Sequence, residues 1–77
     1  MIRLAVRVLE EGGDGHIKIS LLINGELVTG PCGITLRQSE IVDFIHRLQP
    51  DGIEVDREMI SDHLFHRLAG FKNTRFV

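Results

Sequence analysis

The chain has no tryptophan, no tyrosine and a single cysteine, Cys32. One cysteine excludes an internal disulfide and suits a reducing compartment, so a cytoplasmic location is expected. Four Phe are the only aromatics of the Phe/Tyr/Trp class, which leaves little with which to stack nucleic-acid bases. No apolar run approaches the roughly 18 residues of a membrane span. Met1-Ile2-Arg3-Leu4 does not begin a cationic-then-apolar leader. Excess charge is missing too. Nine Lys and Arg against eleven Asp and Glu sum to −2, which argues against whole-surface affinity for nucleic acid or anionic lipid. A local basic patch remains compatible with that sum. The 77 residues are expected to form one small α+β domain, and a chain this short buries only about 60% of its unfolded surface, so self-association is a common supplement.

What is present is alternation. Residues 2–9 place Ile2, Leu4, Val6 and Val8 on one side and Arg3, Ala5, Arg7 and Leu9 on the other, the period of a half-buried strand. Residues 16–23 alternate likewise, with Ile17, Ile19, Leu21 and Ile23 opposite His16, Lys18, Ser20 and Leu22. If Gly12-Gly13 turns between them, Val8 pairs with Ile17, Val6 with Ile19 and Leu4 with Leu21, and the two apolar faces coincide. Asn24-Gly25 then reads as a type I′ turn, since both central positions need positive φ. It sets Ile23 opposite Glu26, Leu22 opposite Leu27 and Leu21 opposite Val28, in a short third strand over 26–29.

Two helices follow. Thr35 with Gln38 resembles a capping box for a helix over about 36–48, whose apolar stripe is Ile41, Phe44, Ile45 and Leu48. Asp56 is the expected N-cap of a second helix over about 57–69, with stripe Ile60, Leu64 and Leu68 and a stop at Gly70. The tail, 71–77, is either loose or a short added strand. The expected fold is a three-stranded antiparallel meander, order 1-2-3, with both helices on one face.

That arrangement exposes a second sheet face with a definite lining. Leu22 and Leu27 are cross-strand neighbours there, next to Ala5, and Arg3, Arg7 and Lys18 gather positive charge. Single exposed leucines are ordinary, and charges on a sheet face deter aggregation. A directly paired Leu-Leu beside three cations instead suggests a docking surface for a protein partner or a second copy of the chain. The same cations Arg3, Arg7 and Lys18, or a separate basic group at the C-terminal end, Arg67, Lys72 and Arg75, give the alternative of a nucleic-acid-binding accessory, the C-terminal group offering phosphate contacts alone.

Chemistry-bearing residues do not assemble into a motif. His63 and His66 sit at i, i+3 beside Asp62, and His46 and Cys32 lie elsewhere. Zinc needs three or four donors converging at about 2.0–2.3 Å, and no recognised spacing supplies them. Cys32 has no identifiable base, and the loop Glu10-Glu11-Gly12-Gly13-Asp14 lacks the donor pattern of a calcium site. The expectation is therefore no enzyme, no metal and no cofactor. The chain is expected to be an interaction module, a small regulator, adaptor or inhibitor.

Overall fold

A computed structural model describes residues 1–77. Strand β1 (Arg3–Glu11) and strand β2 (His16–Ile23) form the expected antiparallel pair. Their register is Leu4 with Ile23, Val6 with Leu21 and Val8 with Ile19, two residues away from the Gly12-Gly13 expectation. The bend sits later because Gly15 takes φ +88° and Asp14 Oδ1 accepts the His16 N–H at 3.2 Å, while the Gly12 N–H donates to His16 O at 2.8 Å. A shift of two preserves which side chains point inward. Leu9 bulges out of the ladder, so that Glu10 rather than Leu9 stands opposite Lys18.

The Asn24-Gly25 turn forms as expected, with φ of 52° and 82°. It leads to β3 (Glu26–Leu27), which pairs Ile23 with Glu26 and Leu22 with Leu27. The third strand is shorter than 26–29. Val28 is half exposed, and the Thr29 hydroxyl accepts the Leu21 N–H at 3.3 Å. Asn24 Oδ1 also accepts the Arg3 N–H at 2.8 Å, tying the turn to β1.

The three-stranded meander is corrected to a sheet of six strands. Strand β4 (Ile34–Arg37) pairs with the first half of β2, end to end with β3 on the same edge. Helix α1 (Gln38–Leu48) crosses to β5 (Gly52–Val55), parallel to β1, and helix α2 (Asp62–Ala69) crosses to β6 (Thr74–Phe76), parallel to β5. The order is β3-β2-β1-β5-β6, with β1 in the middle. Parallel neighbours need long crossovers, and both helices serve as these. The tail is thus partly an edge strand.

Both helices start later than expected. Residues 34–37 are drawn into the sheet, so the helix begins beyond Thr35, and the N–H of its N-cap Arg37 donates to Glu40 Oε1 at 3.0 Å. Asp56 caps no helix. It follows β5 and accepts the Glu58 N–H at 3.1 Å, and Ser61 caps α2 by accepting the Leu64 N–H at 3.3 Å. The core lies between the helices and one face of the sheet: Leu4, Val6, Val8, Ile17, Ile19, Leu21, Ile53 and Val55 meet Ile41, Ile45, Leu64 and Leu68. Phe44 and Leu48 only flank it. No helix is long and apolar enough to cross a membrane.

Candidate functional site

No element covers the other face of the sheet. Register alone fixes its central row, because every strand but β4 contributes one residue to it: Leu27, Leu22, Ala5, Glu54 and Arg75, each the ladder partner of the next. One half of the row is apolar and the other half charged. Arg3 and Arg7 lie two residues to either side of Ala5 on β1 and so share this face. An open concavity of about 770 Å³ runs over it, lined among others by Arg3, Ala5, Arg7, Leu22, Glu54 and Arg75.

The structure therefore brings together Arg3, Arg7, Leu22 and Leu27 of the expected surface and places Lys18 at its far end, half-buried between Glu10 and Thr35. It divides the second basic group. Arg67 is exposed on α2, in the helix layer, and Lys72 lies in the turn before β6, whereas Arg75 joins the sheet face beside Glu54. Arg75 and Glu54 had not been placed on this face. The signal for them was the alternation Ile53-Glu54-Val55 and Thr74-Arg75-Phe76, too short to read as strands alone.

Exposure follows the same division. Leu27 is 45% exposed, Leu22 and Ala5 are half-buried, and Ser20, opposite Arg7, is buried. The Phe residues are all on the other side. Phe44, Phe71 and Phe76 pack on the core, and Phe65 of α2 stacks on Phe76 with ring centroids 4.3 Å apart.

The histidines take unrelated positions. His46 packs on the Phe71 ring at 4.8 Å, His66 meets the Phe65 ring edge at 5.6 Å, and His63 is exposed. No three His, Cys, Asp or Glu side chains come close enough together to hold a metal ion. Cys32 is exposed in the loop before β4, and β4 separates it from the start of α1. Strand β5 also stands between the two helices.

One ionisable group is shifted. The Asp14 carboxyl is held below its ordinary value, chiefly by the His16 backbone N–H and then by the His16 side chain, whose Nδ1 lies 3.0 Å from Asp14 Oδ2. That pair sits at the hairpin tip, away from the open face. Comparison with family models, curated proteins and solved structures returns no significant match to this chain.

Proposed function

We propose that the chain is a non-catalytic protein-interaction module, a small regulator, adaptor or inhibitor of a larger protein, acting in the cytoplasm and docking through the open face of its sheet. The observation that carries this reading is the row Leu27, Leu22, Ala5: three apolar residues side by side across three strands, on a face no helix covers. A half-buried apolar strip rimmed by charge is the composition of a docking patch. Affinity capture from the native cell extract tests it, using the wild-type chain and the Leu22→Glu/Leu27→Glu double variant. A partner retained by the first and lost by the second, with circular dichroism unchanged, supports the reading. A partner retained equally by both removes this face from the function.

The alternative, a nucleic-acid-binding accessory, is favoured by one observation, the arrival of Arg75 on the face of Arg3 and Arg7. It loses Arg67 to the other layer and has no aromatic side chain on the face for base stacking. Its signature would be an affinity falling linearly with salt on logarithmic axes. A mobility shift absent even at low salt ends it.

A further inference from the structure

Ala5 is the smallest side chain of the central row, and its neighbours make a socket. Along β1 it is bracketed by Arg3 and Arg7, each about 7 Å away by strand geometry. Across the ladder Leu22 borders it on one side and Glu54 on the other, with Arg75 beyond. None of the three guanidiniums has a carboxylate within 4.0 Å, because the structure's one ion pair is Asp14 with His16. Of the carboxylates at the ends of β5, Asp51 lines the same concavity and accepts the Ile2 N–H at 2.7 Å. Asp56, which accepts the Glu58 N–H, lines a neighbouring one with Arg7 and Glu58. None of them is within ion-pair distance of a guanidinium.

We infer that this socket receives an extended acidic segment of a partner protein. One apolar side chain of the segment sits on Ala5 against Leu22, and carboxylates two residues to either side meet Arg3 and Arg7. The match is one of period: side chains i and i±2 of an extended chain share a face and repeat at the spacing that separates Arg3, Ala5 and Arg7. Guanidinium forks donate two N–H bonds to the oxygens of a carboxylate. Glu54 repels acidic side chains from the β5 side and steers the segment toward Leu22. The inference rests on the interaction-module reading and supplies the chemistry of the partner.

Two other occupants fit less well. A second copy stacked in line would set Glu54 on Glu54 and Arg75 on Arg75, and stacked in reverse it would set Leu22 on Glu54 and Leu27 on Arg75. The chain does contain an acidic-x-apolar-x-acidic stretch, Glu58 to Asp62, but its central Ile60 is packed against the core and so is not presented. A nucleic acid would meet Glu54 in the middle of its path and find no ring to stack on.

The test titrates the isotope-labelled full chain with a synthetic peptide alternating Thr-Glu-Thr-Leu-Thr-Glu-Thr, and with its Lys-for-Glu analogue. The acidic peptide should shift the Arg3, Ala5, Arg7 and Leu22 amides saturably, and the Lys analogue should not. In Arg3→Glu/Arg7→Glu the preference should invert, by roughly tenfold or more each way. Ala5→Leu should weaken the acidic peptide while leaving distant amides unmoved. Equal binding of both peptides, no shift at all, stronger shifts of the same amides by an oligothymidylate, or shifts that follow protein concentration alone would each overturn the inference. If the charge arms fail while Leu22→Glu/Leu27→Glu still abolishes partner capture, the module stands and only its acidic partner falls.

Discussion

The Ser61 N–H donates to Glu11 Oε1 at 2.5 Å, joining residues fifty positions apart. The other oxygen of the same carboxylate accepts from Gln38 Nε2 at 3.4 Å. Glu11, at the end of β1, thus places negative charge at the N-terminal ends of both helices, where the helix dipoles favour it. Removing it leaves a backbone donor at the α2 N-cap without its partner. Glu11→Ala is expected to cost about 0.5–1.5 kcal/mol in urea unfolding, whereas Glu10→Ala, on the exposed ladder, should stay within about 0.5 kcal/mol. Equal effects of the two would show that the bridge between the helix ends contributes nothing.

Gly33 holds the junction of the loop with β4. Its φ is +74°, and an added Cβ would lie 2.4 Å from Ile19 O and 2.9 Å from Leu9 Cδ1. Backbone oxygen cannot move aside as a side-chain end can. Gly33→Ala is expected to destabilise by at least about 1–3 kcal/mol from backbone strain alone and to loosen β4 from β2. Hydrogen exchange at Ile17 and Ile19 should accelerate in this variant, while a Gly13→Ala control, with open space around its Cβ position, should leave it unchanged.

Asn24 acts twice, by adopting φ 52° and by accepting the Arg3 N–H. Asn24→Ala should therefore cost about 1–3 kcal/mol and speed exchange at Arg3. Asn24→Asp keeps both an acceptor and a tolerance of positive φ, and should recover most of the loss. Failure of the aspartate to recover it would mean that the turn needs something other than these two properties.

The Asp14 shift has a definite sign. Its folded value lies below the ordinary 3.8, so its hydrogen bonds stabilise the hairpin fully above that pH and lose this effect as pH falls through the lower folded value. A carboxyl-carbon NMR titration should give an Asp14 midpoint under 3.8 that rises only part of the way back when His16 is replaced by Ala, because the backbone N–H at position 16 remains. A midpoint at or above 3.8 in the wild-type chain contradicts the assigned hydrogen bonding.

The legible part of the fold was the part carried by long periodic runs and one turn of restrictive chemistry. Leu22 was placed opposite Leu27 from Asn24-Gly25 alone, and the inward faces of β1 and β2 survived a two-residue register error because the error was even. Strands β4, β5 and β6 were missed, or left open, for a shared reason. Each is four residues or fewer, and the partners that make it a strand lie far away in the chain. Ile34-Thr35-Leu36 reads as readily as a helix start, and only pairing with Ile17 to Ile19 decides otherwise. The open face was legible in Arg3, Arg7, Leu22 and Leu27. It was incomplete, because Glu54 and Arg75 reach it only through the parallel crossovers.

Backbone NOE connectivity across the sheet tests the account most directly, since the docking face exists only if five strands line up as one row. The account predicts contacts linking Leu27 to Leu22, Leu22 to Ala5, Ala5 to Glu54 and Glu54 to Arg75. Contacts that shift Ala5 to an inward-facing partner, or that join Arg75 to the helix layer instead of Glu54, would contradict it.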